Sequence, residues 1–169
     1  MNDDDSLPLV LLIDDTVCED SGQGFDKSDF LSVVGSDVAV FEFCTAKDDY
    51  EGTYTSMEAI DFVERVIRAQ GRNPSVVFVD IMFGRLEDAK ELGFEIIIKI
   101  HDKWPEIPII AMSSEQPEAV LSGSNMPLLK RAKARGASAF LKKPFSKAAF
   151  TSALGMALAA RAPVSPGSR

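Results

Sequence analysis

Four short apolar segments of this sequence end on residues that could do chemistry: acids, a serine and a lysine. The four ends are Asp14-Asp15, Asp80, Ser113-Ser114 and Lys143 before Pro144. Carboxylates that lie close together repel one another and require a cation, and hard oxygen ligands suit Mg²⁺. A hydroxyl and an ammonium group beside them could hold an anionic group bound to Asp80. That arrangement is typical of phosphoryl transfer, in which a carboxylate attacks while a metal and a lysine neutralise charge.

The apolar segments predict where these residues lie. Ser75–Val79 is rich in β-branched residues and is bounded by Pro74 and Gly84, which is typical of a central strand in a parallel sheet. Asp80 then lies at the carboxyl edge of the sheet, where ligands bind in open α/β folds. Taken alone, Asp80 could equally cap the next helix or turn. The other three ends have similarly ordinary explanations, and only their occurrence together favours a site.

Strands and helices are predicted to alternate along the whole chain. Strands are predicted over 7–13, 37–44, 75–80, 107–112 and 138–141, and helices over 26–34, 56–69, 93–104, 128–135 and 147–160. The pattern predicts an α/β fold in which a five-stranded parallel sheet has helices on both faces. We expect a disordered N-terminus over 1–6, a single domain over 7–160 and a flexible tail over 161–169.

Local signals predict how three of these helices begin and pack. Asp26, Ser56 and Ser146 are the predicted N-caps. The start at Ser56 lacks a full capping box, because Ala59 stands three residues later. In the last helix Phe150, Leu154 and Leu158 are predicted to form the inner face.

The composition argues against several classes of function. A chain of 169 residues predicts one domain, and a net charge of −8 with a pI near 4.7 argues against non-specific nucleic-acid binding. Cys18 and Cys44 have no metal-type spacing and favour free thiols in a reducing compartment. No apolar run approaches a membrane span, and the start is acidic where a signal peptide is basic. A cytoplasmic location without membrane contact is therefore expected.

The ordered set of motifs resembles a response-regulator receiver domain, the phosphoacceptor domain of two-component signalling, which has the flavodoxin-like fold. The resemblance rests on Asp14-Asp15, Asp80, Ser113 and Lys143-Pro144-Phe145, and spans about Leu7 to Ala160. It implies that Asp80 accepts a phosphoryl group from a sensor histidine kinase or a phosphotransfer protein. Phosphorylation would then switch binding to a downstream protein target, and a homodimer is left open. Such a protein is a switch and not an enzyme, apart from its own phosphorylation and dephosphorylation.

The resemblance also implies a metal site and a switch. The ligands of Mg²⁺, or of Mn²⁺ in its place, would be Asp14, Asp15, Asp80 and the backbone carbonyl of Met82. Lys143 would contact the phosphoryl group, Ser113 would move toward it, and Phe140 would rotate inward as the switch aromatic. The peptide bond before Pro144 would be cis.

The sequence departs from the family pattern in several places. Ser113 stands where Thr is commoner, Phe140 stands where Tyr is commoner, and the usual Pro after the phosphoacceptor is replaced around Phe83-Gly84. Four connections that follow strands exceed the usual length of about 2–6 residues. They are Val17–Gly24, Ala46–Thr55, Gly84–Glu91 and Gln116–Asn125. We hypothesise that they form an enlarged rim that restricts the kinase partner or slows loss of the phosphoryl group.

Two other functions are consistent with parts of the pattern. A degenerate receiver would act as a phosphorylation-independent interaction module, although the intact acid set argues against it. A haloacid-dehalogenase-like phosphatase needs an Asp two residues after its nucleophile, and neither Asp80-Ile81-Met82 nor Asp14-Asp15-Thr16 supplies one.

One basic cluster and one histidine lie outside the predicted site. The basic residues of the fourth helix are either a solvated face or an output surface; they are Lys130, Arg131, Lys133 and Arg135. His101 is predicted to be neither a phosphohistidine nor a metal ligand.

Overall fold

The computed structural model describes residues 7–14, 27–35, 38–43, 55–82, 91–120 and 124–160. In these ranges strands and helices alternate. The elements are β1 (Leu9–Ile13), α1 (Lys27–Val34), β2 (Ala39–Phe43), α2 (Ser56–Gln70), β3 (Val76–Asp80), α3 (Leu92–Lys103), β4 (Ile109–Ser113), α4 (Leu128–Ala134), β5 (Ala139–Lys142) and α5 (Lys147–Ala159). The predicted fold class is confirmed, while the predicted ends at 1–6 and 161–169 lie outside the described residues.

The five strands form one parallel sheet in the order β2-β1-β3-β4-β5. The chain therefore builds outward from β1 to β2, returns to β3 on the other side of β1, and continues to β5. This reversal places the topological switch point between β1 and β3, at whose carboxyl ends α/β sheets bind ligands. β3 is the central strand, as its apolar sequence predicted.

Both faces of the sheet are covered, so β1, β3 and β4 are buried along their whole length. One core cluster joins the sheet to α2, α3 and α4, and includes Val63, Phe94 and Ile97. The second joins the opposite face to α1 and α5 through Phe30 and Phe150. Burial on both faces explains why these strands are continuous apolar runs and do not alternate. No helix in the described ranges has the length and apolarity needed to cross a membrane.

The beginning of α2 differs from the prediction. The N-cap is Thr55 and not Ser56, so Glu58 occupies the third helical position. The Glu58 carboxylate accepts a hydrogen bond from the backbone N–H of Thr55 at 2.8 Å, which completes a capping box. Ser56 is buried and instead donates its hydroxyl hydrogen bond to Glu95 of α3 at 2.7 Å. The predicted cap at Asp26 lies outside the described residues.

The buried face of α5 also differs from the prediction. Ser146 caps the helix as predicted, because its Oγ accepts from the backbone N–H of Ala149 at 3.2 Å. The buried residues, however, are Phe150, Ala153 and Ala157. Leu158 is 41% exposed. Since α5 is apolar around most of its circumference, the sequence pattern could not select the inner face, and small alanines allow the helix to approach the sheet closely.

Candidate functional site at the carboxyl edge of the sheet

Two adjacent strands bring Asp14 and Asp80 to the switch point. Asp80 is the last residue of β3, Asp14 directly follows β1, and the residues before them, Val79 and Ile13, are register partners. The two aspartates are 3% and 0% exposed, respectively. Burying a carboxylate is costly unless it is paired, so these two acids require a cationic partner.

Lys143 is that partner. Its Nζ donates to Asp80 Oδ2 at 2.6 Å and to Asp14 Oδ2 at 2.9 Å, and its side chain is 7% exposed. Because both oxygens bind the same nitrogen, they lie within two hydrogen-bond lengths of each other. Residues at the carboxyl ends of β1, β3 and β5, far apart in sequence, therefore meet in one buried cluster, as their positions at strand ends predicted.

The backbone around Lys143 fixes which lysine enters the cluster. Lys142 is the last residue of β5 and pairs with Ser113 in the sheet, and its side chain is only half-buried. Lys143 follows it and donates its backbone N–H to the Ser113 carbonyl oxygen at 2.7 Å. The peptide bond between Lys143 and Pro144 is cis, as the resemblance implied.

The electrostatics of the cluster favour an additional cation. Burial raises the pKa of Asp80 to about 6, despite the attraction of Lys143, and the nearby Asp14 carboxylate acts in the same direction as burial. Burial works against the charge of Lys143, but the attraction of Asp80 and Asp14 exceeds it and raises the pKa of Lys143. One ammonium group therefore lies between two carboxyl groups in a buried site, and a second cation would reduce the repulsion that raises the pKa of Asp80.

The turn after β3 orients the Asp80 carboxylate. Oδ1 of Asp80 accepts a hydrogen bond from the backbone N–H of Met82 at 2.8 Å, while Oδ2 binds Lys143. The backbone N–H of Ile81 donates to the Met112 carbonyl oxygen at 2.9 Å, which ties the turn to β4. Both carboxylate oxygens are thus engaged, and the path of the backbone from Asp80 to Met82 determines where they point.

The described donor set fits Mg²⁺. Asp14 and Asp80 supply carboxylate oxygens, and Met82, predicted to contribute its carbonyl, is the second residue after β3. Asp15 lies outside the described residues, and within them no group of three or more His, Cys, Asp or Glu side chains could hold a metal. Mg²⁺ does not need such a group, because it keeps several waters and takes one or two carboxylates.

The two predicted switch residues lie on neighbouring strands. Ser113 ends β4, is fully buried, and its Oγ accepts a hydrogen bond from the backbone N–H of Glu115 at 3.0 Å. Phe140 lies in β5 opposite Ala111 of β4, and is half-buried against the core cluster on the α2–α4 side. The predicted movement of both residues upon phosphorylation stays a prediction.

The predicted rim falls largely outside the described residues. Of its four connections, Val17–Gly24 lies wholly outside, as do 46–54 and 84–90. In the fourth, the described part packs onto α4, since Leu128 donates its backbone N–H to the Ala119 carbonyl oxygen at 2.9 Å. Cys18 and Cys44 also lie outside, so the free-thiol prediction stays a prediction.

The basic residues of α4 divide into two pairs. Arg131 and Arg135 place their guanidinium carbons 4.3 and 5.0 Å from the ring centroid of Phe94, and both bind the Glu91 carboxylate just before α3. Lys130 and Lys133 are exposed. Arg131 and Arg135 thus tie α4 to α3, while the output surface stays a prediction. No local pattern predicts this contact, because Glu91 and Arg131 are 40 residues apart.

The comparisons with known proteins identify the fold. No protein-family model matches the chain, and no curated protein matches it. The solved structures include a LuxR-family two-component response regulator from an Aurantimonas species, which is 21% identical over 95% of this chain and 91% of that chain, with a TM-score of 0.58. A CheY-like receiver domain from Methanospirillum hungatei is 18% identical over 91% of this chain and 95% of that chain, with a TM-score of 0.56.

A third structure, a response regulator from Burkholderia pseudomallei, contains a phosphorylated aspartic acid, a calcium ion and citrate. It is 18% identical over 87% of this chain and 66% of that chain, with a TM-score of 0.54. These likenesses confirm that the chain has the flavodoxin-like fold of receiver domains. At these identities they establish the fold, and function has to be argued from the site.

Proposed function

We propose that this chain is a phosphoacceptor receiver in which Asp80 is phosphorylated in a Mg²⁺-dependent reaction. The observation that supports the proposal most directly is the buried cluster of Asp80, Asp14 and Lys143 at the switch point of the sheet. A buried lysine held between two carboxylates stabilises the fold less than well-packed apolar side chains would. Its presence in this cluster is better explained by a chemical role, because perturbed groups of this kind cluster at functional sites.

The chemistry assigned to the cluster is an in-line displacement at phosphorus. A carboxylate oxygen of Asp80 forms a bond to the phosphorus atom of the donor, and the bond to the leaving group breaks with its electron pair. Lys143 holds the phosphoryl oxygens electrostatically, and Mg²⁺, when bound by Asp14, Asp15, Asp80 and the Met82 carbonyl, would neutralise their charge. Because burial raises the pKa of Asp80 to about 6, the carboxylate is ionised at neutral pH and keeps more nucleophilic character than an ordinary aspartate.

The partners follow from this chemistry. A sensor histidine kinase or a phosphotransfer protein would supply the phosphoryl group, and a downstream protein would bind one of the two states. Ser113 and Phe140 would report the phosphoryl group to the α4–β5 side of the domain. The Burkholderia structure, which has the same fold, contains a phosphorylated aspartic acid and a calcium ion, and this supports the proposal of a phosphorylated aspartate and a bound metal in this chain.

Incubation with acetyl phosphate and Mg²⁺, followed by intact mass measurement, tests the proposal. We expect a mass increase of one phosphoryl group, which is lost when EDTA replaces Mg²⁺. Asp80→Asn should abolish the increase. Asp61→Asn, at an exposed position of α2, is the matched control and should retain it. A folded protein that shows no increase with Mg²⁺ would instead support the phosphorylation-independent interaction module.

A further inference from the structure

Gly93, the second residue of α3, lies directly against the backbone of Asp80 and Ile81. A Cβ at this position would lie 2.5 Å from Ile81 Cα, 2.9 Å from Ile81 C, and closer still to the carbonyl oxygen of Asp80. Real Cβ atoms essentially never show contacts under 3.0 Å. All three atoms belong to the backbone, so no change of side-chain rotamer could make room.

The strand side of this contact is fixed. Asp80 is paired with Met112 of β4, and Ile81 donates its backbone N–H to the Met112 carbonyl oxygen. The Ile81 side chain is fully buried in the core on the α2–α4 side. Since β3 is the central strand, it cannot shift without disturbing its pairing with β1 or β4.

The helix side is fixed as well. Phe94, the next residue of α3, is fully buried beneath Arg131 and Arg135, whose guanidinium groups bind Glu91. Glu95 accepts the hydroxyl hydrogen bond of Ser56, which ties the same turn to α2. The first turn of α3 is therefore anchored to α4 on one side and to α2 on the other. We call the group of Glu91, Arg131 and Arg135 the α3–α4 clasp.

The contact bears on the site because the Asp80–Ile81 peptide leads into the turn that orients the carboxylate. Met82 N–H binds Asp80 Oδ1, and the Met82 carbonyl is the proposed metal ligand. A displacement of this peptide by a few tenths of an ångström would change both at once. Sites of this kind need their groups held within about 0.5 Å.

We infer that Gly93 is a positioning residue for the Asp80 site: the first turn of α3, seated against the Asp80–Ile81 peptide, fixes the Asp80 carboxylate and the Met82 carbonyl. The inference rests on the proposed function for its metal readout, and on the backbone of residues 80–82 for its second readout. Gly93 itself touches neither the metal nor the phosphoryl group.

Gly93→Ala and Gly155→Ala make a matched pair of variants. Gly155 lies in the exposed part of α5, and a Cβ there would meet nothing within 4 Å. For each variant, Mg²⁺ affinity is measured by calorimetry with the metal alone. The backbone amide shifts of Ile81 and Met82 are measured by NMR in the metal-free protein, and stability is measured by urea unfolding.

Gly93→Ala should weaken Mg²⁺ binding by about 10-fold or more and shift the amide signals of Ile81 and Met82. Urea unfolding checks that the variant is folded under the conditions of both measurements. Gly155→Ala should leave both unchanged and raise the urea midpoint, because alanine favours a helix over glycine. Mg²⁺ affinity and amide shifts that match the wild type in folded Gly93→Ala would overturn the inference. If the wild type itself binds no Mg²⁺, the proposed function fails, and the amide shifts alone decide the role of Gly93.

A second variant serves if Gly93→Ala does not fold. Glu91→Gln weakens the α3–α4 clasp at a side chain that is 56% exposed, so folding should be retained. We expect Mg²⁺ affinity to fall about 2- to 5-fold, since the first turn of α3 is held less firmly. Glu64→Gln, which breaks the ion pair with Lys103 at the other end of α3, is the control and should have no effect on Mg²⁺. Equal Mg²⁺ affinities for the two variants would contradict the inference.

Discussion

The two ends of α3 lie beside two very different ion pairs. Near its beginning, at the carboxyl edge of the sheet, Lys143 is buried between Asp80 and Asp14. At its end, Lys103 binds Glu64 of α2 with both side chains partly open to solvent. The buried lysine can lose its partners only at a large desolvation cost, whereas water replaces the partner of the exposed one. Of these two ion pairs, the one with the large desolvation cost is therefore the one at the edge where we propose that phosphorylation occurs.

The pKa directions show the same contrast. The hydrogen bond from Lys103 lowers the pKa of Glu64, so the exposed pair favours the ionised carboxylate. Burial raises the pKa of Asp80 to about 6, so the buried cluster disfavours the ionised form of the Asp80 carboxylate. An exposed ion pair thus helps to hold α2 and α3 together, while the buried one keeps a carboxylate in an unfavourable state. A bound cation or phosphoryl group would relieve that state.

The largest effect is expected from Lys143→Met. The substitution leaves the Asp80 and Asp14 carboxylates buried without their ammonium partner, and should reduce the free energy of unfolding at pH 7 by about 3–5 kcal/mol. Urea unfolding measures this loss. Lys142→Met, at the half-buried neighbouring position, is the matched control and should have a much smaller effect. Similar losses of stability for the two lysine variants would show that the buried ion pairs of Lys143 contribute no more to stability than the half-buried Lys142 does.

Asp80→Asn, in contrast to Lys143→Met, should increase the free energy of unfolding at pH 7. Because the pKa of Asp80 is raised from 3.8 to about 6, the native state binds a proton more readily than the unfolded state between these values. The wild type therefore loses stability as pH rises from about 4 to about 6, and the lower stability persists at pH 7. Asparagine has no such titration, so the variant should be more stable than the wild type at pH 7 by about 1–2 kcal/mol, and this gain should vanish near pH 4.

Urea unfolding of the metal-free proteins at pH 4, 6 and 7 measures this dependence. Asp61→Asn, at an exposed position of α2, is the control and should change stability at pH 7 much less than Asp80→Asn does. A gain for Asp80→Asn that grew toward acid pH would mean that the carboxylate is stabilised in the folded state, contrary to the direction of its pKa.

The sequence was sufficient to predict the sheet and the cluster because both depend on local patterns at strand ends. Continuous apolar runs mark buried strands, and residues that follow parallel strands must share one edge. Asp14, Asp80 and a lysine after β5 could therefore be brought together without coordinates, while the choice of Lys143 over Lys142 came from the resemblance to receiver domains. The helix details failed where a pattern had no preferred face, as in α5, or where two candidate caps were adjacent, as with Thr55 and Ser56.

The supports of the site could not be predicted in the same way. The clasp joins Glu91 to Arg131 through a guanidinium that also stacks on Phe94, and each of these residues alone resembles an ordinary surface or core position. Gly93 gave no clear signal either, because the predicted helix begins at residue 93 and glycine is tolerated at the start of a helix. What approaches Gly93, the backbone of Asp80, depends on the packing of α3 against β3, which no local pattern encodes.

The smallest effect is expected from Glu64→Gln, which removes the exposed ion pair with Lys103. Water can solvate both groups, so the urea midpoint at pH 7 should change little, and any change should disappear in 1 M salt. The pair contributes only above the range where Glu64 is protonated, because the hydrogen bond from Lys103 lowers the pKa of its carboxyl group; its contribution should be lost as pH falls through that lowered pKa. A large, salt-independent loss would mean that the far end of α3 is held as firmly as the end that contacts Asp80, and the proposed asymmetry between the two ends would be wrong.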